Sequence, residues 1–258
     1  MTHPYLEGMP RPRVLAHRGL VTPEMAAGGI AENSFAAVAA AHAEGAHYVE
    51  SDCHLTLDGT VVLFHDPDLS RITGDPRDLA HVTIDELEEL MAERGGVITL
   101  QQAMDAFPET RFNLDVKALA AAEKAGEIVA PHAERVLLTS FFDERRLAAL
   151  AAARRVRPDL LPATSAGSGT LMRFLLGLFL HSERRIARAL EGVDALQVPE
   201  RQRGVRVVSP RSIAAAHRHG VEVHVWTVNE PADMRRLVAM GVDGIVSDHA
   251  DLALRTLS

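Results

Sequence analysis

Short runs of apolar and β-branched residues alternate with alanine-rich stretches of helical period from one end of the chain to the other. That alternation is the pattern of a parallel sheet covered by helices. The runs that read as strands are "VLAHRG" (14–19), "YVESD" (48–52), "RFNLDVK" (111–117), "RVLLTS" (135–140), "DLLPATS" (159–165), "ALQVP" (195–199), "EVHVWT" (222–227) and "GIVSD" (244–248). Eight is the number that closes a (β/α)8 barrel, so the predicted fold is an α/β TIM barrel. Between the strands, Ser34 is placed to cap the helix "SFAAVAAAHAEG", and Pro231 and Gly241 bound "PADMRRLVAMG".

A ninth strand-like run, "TVVLFHD", follows the second strand too closely for a parallel crossover and must return antiparallel. Asp58-Gly59 favours a two-residue type I′ turn. With Leu57 paired to Thr60, that register sets Asp52 opposite His65. Residues 66–105 fit the alternation least and read as a small excursion over the barrel mouth, containing the acidic helix "TIDELEELMAE" and the stretch "TLQQAMDAF". The expectation is one catalytic domain spanning 1–258, with this insertion at about 66–105.

Composition narrows the partners. The 258 residues are 47% hydrophobic, enough to fill one large core. A net charge of −8, with the basic residues dispersed, argues against nucleic acid as a partner. The single Cys53 excludes a disulfide framework, and the N-terminus has no secretory pattern, so a cytoplasmic location is expected. The longest apolar run, "FLLGLFL" (174–180), is far shorter than the ~20 residues of a membrane span. The segment "TLMRFLLGLFLHSERR" reads as a buried barrel helix, with weak lipid contact at 171–180 as the other reading. Oligomeric state is left open.

The candidate chemistry sits at strand ends. Strand period puts Glu50 and Asp52 on one face and Cys53 on the other; two close carboxylates repel, and a hard cation such as Mg²⁺ or Ca²⁺ relieves the repulsion. Asn113, Asp115 and Lys117 repeat the device, Asp115 completing a metal shell and Lys117 neutralising an anionic group. His17 and Arg18 end the first strand before Gly19: guanidinium forks suit phosphate oxygens, and imidazole suits proton transfer near neutrality. Taken singly, each has an ordinary alternative: solvated surface acids, a cross-strand Asp–Lys pair, a loop tripeptide. Together, His17, His65, the basic residues Arg18 and Lys117 and the three carboxylates on one rim suggest a metal-assisted acid/base site for a phosphate ester.

In order and spacing, "LAHRG", "AENS", "VESDCHLTLDGTVVLFHDPDLSRITG", "ITLQQAM", "FNLDVK", "TSFF" and "VHVWTVNEPADMRRLVAMGVDGIVSD" resemble the glycerophosphodiester phosphodiesterase family. The resemblance covers nearly the whole chain and is weakest between about 150 and 220. It implies a barrel that hydrolyses small-molecule glycerophosphodiesters to glycerol 3-phosphate and an alcohol with a divalent cation as cofactor. It further implies His17 and His65 as the acid/base pair, Glu50 and Asp52 as metal ligands, and Arg18 and Lys117 as phosphate contacts. Trp226 would form an aromatic wall for the glycerol end of the substrate, and Glu32 would be an outer ligand or orienter. Asp115 stands where the family usually has a glutamate. "MAAGGI" before Glu32 is longer than the family form, and a mobile loop is expected there. Of Phe141 and Phe142, one is expected in the core. Two other functions stand beside this one: a phospholipase D-like hydrolase of lysophospholipids, and a catalytically impaired barrel kept as a binding module.

Overall fold

The computed structural model describes residues 2–202 and 204–258. Its central sheet contains eight parallel strands: β1 (Arg13–His17), β2 (Tyr48–Leu55), β4 (Arg111–Val116), β5 (Val136–Thr139), β6 (Ala163–Thr164), β7 (Ala195–Val198), β10 (Glu222–Val225) and β11 (Gly244–Ser247). They are joined in the order β6-β5-β4-β2-β1-β11-β10-β7. The ring closes between β6 and β7 through the parallel bridge Ser165–Ala195 and a 2.8 Å hydrogen bond from the Asp194 amide to the Thr164 carbonyl. All eight predicted strands are present. The least regular is β6, where Pro162 has no N–H for the ladder and pairing starts only at Ala163.

Alternation along each strand separates two environments. Outward residues such as Val49, Cys53, Phe112, Leu114 and Leu138 form the main core beneath the helices. Inward residues fill the barrel in layers. At the N-terminal end of the strands, Arg13 is 1% exposed; its Nε and one terminal nitrogen hold Glu222 at 2.7 and 2.8 Å, and another reaches the Tyr48 hydroxyl at 2.7 Å. Above them lie Leu15, Leu137, Ala163 and Ala195. The C-terminal ends of the strands carry the polar residues.

The helices begin where the chain supplies caps. Ser34 accepts from the Ala37 amide to start α2 (Phe35–Ala43), as expected, and Pro231 opens α11 (Pro231–Ala239). The "MAAGGI" stretch, expected as a loop, contributes to a short helix, α1 (Pro23–Ala27), because Thr22 caps it and Pro23 presets its first turn.

The hairpin differs from expectation by one residue. β3 (Val61–Leu63) does return antiparallel on β2, but Leu55 pairs with Val61 and Cys53 with Leu63. The Thr56 amide donates to the Thr60 carbonyl at 3.0 Å, so the loop holds three residues, Leu57, Asp58 and Gly59, with Gly59 at φ +79°. A three-residue loop closed by a left-handed glycine competes with the two-residue turn, and the Thr56 hydroxyl, bonded to Asp58, the Thr60 carbonyl and the Thr60 amide, favours it here. Asp52 therefore meets Phe64, whose amide donates to its carbonyl at 2.9 Å. His65 reaches the barrel mouth because β3 ends at Leu63 and the chain bends.

The following excursion carries its own small core, in which Val62, Phe64, Leu69, Leu79, Val82, Leu87 and Met91 pack together. Its helix α4 (Ile84–Met91) starts on a capping box between Thr83 and Glu86. The next helix, α5 (Leu100–Ala106), returns Leu100, Ala103 and Met104 to the main core. Among the described residues no helix is long and apolar enough to cross a membrane.

The Arg13–Glu222 pair carries a stability prediction. Burial raises the Glu222 carboxyl, but the hydrogen bonds from Arg13 and then His224 outweigh it and hold the group well below its ordinary range. Its contribution is therefore complete above the ordinary carboxylate pKa and is lost as the pH falls through the depressed one. Arg13→Met should destabilise the protein by about 1.5–3 kcal/mol near neutral pH, because the buried Glu222 carboxylate loses two charge-assisted hydrogen bonds and keeps those from Arg11 and His224. The measurement is urea unfolding, and the difference should shrink in acid.

Candidate active site

The strand register assembles the site. His17 pairs with Glu50 and Glu50 with Asn113, in one row across β1, β2 and β4; one pleat further along, Asp52 pairs with Asp115. Directly paired residues point to the same side, so all five enter the barrel at its C-terminal end. Just past the end of β4, the Lys117 ammonium bridges the second row, 2.9 Å from Asp52 and 2.7 Å from Asp115.

The chain turns sharply after His17. Arg18 sits at φ +57°, a left-handed conformation uncommon outside glycine, and its amide donates to the Glu50 carbonyl at 2.8 Å. Gly19 is required next, since a Cβ there would lie 2.6 Å from the Ala37 carbonyl carbon. The turn brings the Arg18 guanidinium back over the site, 3.4 Å from Asp52 and 2.7 Å from Glu32.

Asp52 is 2% exposed and well supplied: besides Lys117 and Arg18 it accepts from the Asn33 amide group at 3.0 Å, and Asn33 is oriented by the Ser51 hydroxyl at 2.6 Å. Glu50 is not. Burial and then the Asp52 charge push its carboxyl up to about 8. Burial also raises Asp115, against the pull of Lys117. Lys117 itself is raised, because the charges of Asp52 and Asp115 outweigh its burial. Among the described residues, Glu50 Oε2, Asp115 Oδ1 and Asn113 Oδ1 are buried without a hydrogen-bond partner.

Both histidines are held the same way. Nδ1 of His17 lies 2.5 Å from Asp248, which in turn accepts from the Asn229 amide group at 2.7 Å. Nδ1 of His65 lies 2.6 Å from Asp66, which accepts from Arg71 Nε at 2.5 Å. A carboxylate on Nδ1 fixes the ring and its tautomer and leaves Nε2 for other work. For His17, burial lowers the pKa, but the Asp248 hydrogen bond and the Glu50 charge prevail and raise it.

Of the nine residues expected at the site, His17, Arg18, Glu50, Asp52, His65, Asp115, Lys117 and Trp226 line one cavity of about 310 Å³. Glu32 does not line it; it stands behind, bridging Arg18 and Arg71 at 2.7 and 2.6 Å. Trp226 contacts the barrel interior on one side and the cavity on the other. Phe141 and Phe142 are 49% and 54% exposed, so neither joins the core: the chain leaves β5 before reaching them. Sequence reading missed Asp66, Asp248, Asn33 and Arg71. Two of them lie beside residues that it did single out, Asn33 next to Glu32 and Asp66 next to His65, where an amide or acid adjoining a site residue was the available signal.

Among the described residues, no group of three or more His, Cys, Asp or Glu side chains stands in an arrangement that could hold a metal ion. The Lys117 ammonium lies between Asp52 and Asp115 in that place. The donor chemistry nonetheless fits a hard divalent cation: carboxylate and amide oxygens, two of the carboxylate oxygens buried and unpartnered.

Polar residues gathered at the C-terminal face of a closed (β/α)8 barrel, with two carboxylate-held imidazoles beside cationic groups, define a barrel enzyme for an anionic substrate. Residues 17–252 match the model of the glycerophosphoryl diester phosphodiesterase family. A probable glycerophosphodiester phosphodiesterase 2 of Mycobacterium tuberculosis is 34% identical over 92% of this chain and 88% of its own. Among solved structures, a putative glycerophosphoryl diester phosphodiesterase of Silicibacter pomeroyi superposes with TM-score 0.71 at 25% identity, covering 98% of this chain and 97% of that one. A phosphodiesterase of Oleispira antarctica, solved with the product sn-glycerol 3-phosphate, shares the fold with TM-score 0.70 at 20% identity, over 95% and 96% of the two chains. The chain belongs to the glycerophosphoryl diester phosphodiesterase family and is an enzyme of that type, a hydrolase of glycerophosphodiesters.

The clamp on His17 is open to direct measurement. Asp248→Asn removes the carboxylate that raises its pKa. The His17 imidazole, followed by NMR titration, should then lose its proton at lower pH than in the parent protein. An unchanged titration would mean that Glu50 alone sets it.

Proposed function

We propose that the barrel-mouth cavity cleaves a phosphodiester P–O bond with His17 and His65 as a general acid/base pair. The observation that carries this reading is the matching support of the two rings, each with an aspartate on Nδ1 and each lining the same cavity. One imidazole accepts the proton of the attacking hydroxyl as its oxygen bonds to phosphorus. The other donates a proton to the alkoxide that leaves. Arg18 and Lys117 contact the non-bridging phosphate oxygens and stabilise the charge that builds there. Trp226 packs on the glycerol end.

Glu50, Asp52 and Asp115 are the residues that would hold a divalent cation, Mg²⁺ or Ca²⁺, with Glu32 orienting Arg18 from behind. Bound there, the cation would supply Lewis-acid polarisation of the phosphodiester. The raised carboxyl of Glu50 supports this: a group pushed up to about 8 by burial and then by the Asp52 charge gains from a positive partner. A second reading, hydrolysis of lysophospholipids, draws support from the apolar cavity wall formed by Phe141, Ala166, Leu171 and Val246.

The deciding assay is release of choline from glycerophosphocholine, with glycerol 3-phosphate as the other product, and from lysophosphatidylcholine, with acyl-glycerol 3-phosphate as the other product, in the presence of Mg²⁺, Ca²⁺, Mn²⁺ or chelator. Chelation should abolish turnover and a divalent ion restore it. His17→Ala and His65→Ala should each lower kcat by about 10²–10⁴-fold. Near-normal turnover in both variants would remove the acid/base assignment. Absence of turnover on every diester with every cation would leave a binding barrel.

A further inference from the structure

Helix α8 (Ser168–Phe179) leaves the barrel rim beside the cavity and buries only one of its faces. Leu171, Phe174 and Gly177 pack inward, while Met172, Leu176, Phe179 and Leu180 recur at helical spacing on the opposite side, with Phe179 77% exposed and Met172 64%. The expectation of a buried barrel helix holds for the first set alone. At the head of this stripe stand the exposed Phe141 and Phe142, and the Ser168 amide donates to the Phe141 carbonyl at 2.9 Å, which joins the loop to the start of the helix. Isolated apolar side chains on a surface need no explanation, but a stripe of this size does.

Its border is cationic. Arg145 stacks on the Phe142 ring, 4.5 Å from the centroid. The Arg173 side chain is 67% exposed, and Arg211 donates to the Leu178 carbonyl at 2.5 Å. The nearby Asp143 is turned inward, accepting from the Gly167 and Thr170 amides at 3.2 and 2.9 Å. Cations framing an apolar stripe, in a chain of net charge −8, match a surface that is anionic outside and apolar within. In a two-fold contact between copies through this face the cationic border would meet itself, so a second copy offers the wrong charge there.

We propose that the exposed face of α8, with Phe141 and Phe142, docks on the headgroup region of an anionic lipid bilayer and holds the cavity mouth at the membrane surface. Phe141 lines the cavity as well as the stripe, so docking places the opening where lipid-derived diesters are released or embedded. Docking does not depend on how the cavity performs its chemistry.

The test is co-sedimentation of the full chain with vesicles of phosphatidylcholine alone or mixed with phosphatidylglycerol. Binding should require the anionic lipid and weaken with salt. Met172→Ser/Phe179→Ser should bind about tenfold more weakly or worse, consistent with losing two inserted apolar side chains. Turnover of soluble glycerophosphocholine and the circular dichroism spectrum should be unchanged. Arg173→Glu, with the apolar stripe intact, should also weaken binding. Failure of the parent protein to sediment with either vesicle would overturn the proposal, as would undiminished binding by the double variant. So would a concentration-dependent dimer that the double variant abolishes. Sedimentation is scored without reference to turnover, so it decides docking even if the cavity hydrolyses no diester.

Discussion

Three carboxylates, Glu50, Asp52 and Asp115, enter the upper half of a barrel walled by hydrogen-bonded strands, and their repulsion in a water-poor interior is the constraint that the neighbouring residues answer. Lys117 bridges two of them; Arg18 and Asn33 complete the shell of Asp52. The turn at Arg18 and Gly19, the orientation of Asn33 by Ser51 and the placement of Glu32 behind Arg18 all serve this neutralisation. What they answer only in part is Glu50, whose carboxyl is raised and whose Oε2 lies 3.8 Å from His17 Nε2, beyond hydrogen-bond reach.

The two ends of the barrel use similar residues differently. At the N-terminal end, Arg13, Glu222 and Tyr48 form a buried network in which the guanidinium fork is filled. Such a network specifies packing and offers nothing to a ligand. At the C-terminal end the partnering is incomplete, and the cavity opens there. Charge composition alone does not separate these ends; the state of satisfaction does.

Around the mouth, separate pieces of chain meet through Arg71. It comes from α3 (Ser70–Thr73) in the excursion and joins Asp66, which holds His65, to Glu32, which holds Arg18. The excursion is thus tied to both arms of the site. Across the rim, α8 adds an apolar surface, with Met172, Leu176 and Phe179 exposed.

The eight strands, the antiparallel return and most of the cavity residues were legible in the sequence, because strand period assigns faces and a barrel puts one face of every strand inside. Local signals were enough for Ser34 and Pro231, whose capping roles depend on the adjacent turn alone. Tertiary structure decided what depends on long-range competition. The hairpin register slipped by one residue because the Thr56 hydroxyl favours a three-residue loop, and His65 reached the mouth through a bend. Asp248 holds His17 across 231 positions of chain. Lys117 takes the gap between Asp52 and Asp115 because parallel pairing sets those acids side by side. Sequence by itself determined which side chains face inward; which of them touch, and which carboxylate is left uncompensated, was decided by the packing of strands distant in the chain, since Coulomb and hydrogen-bond energies turn on distances that only the closed barrel sets.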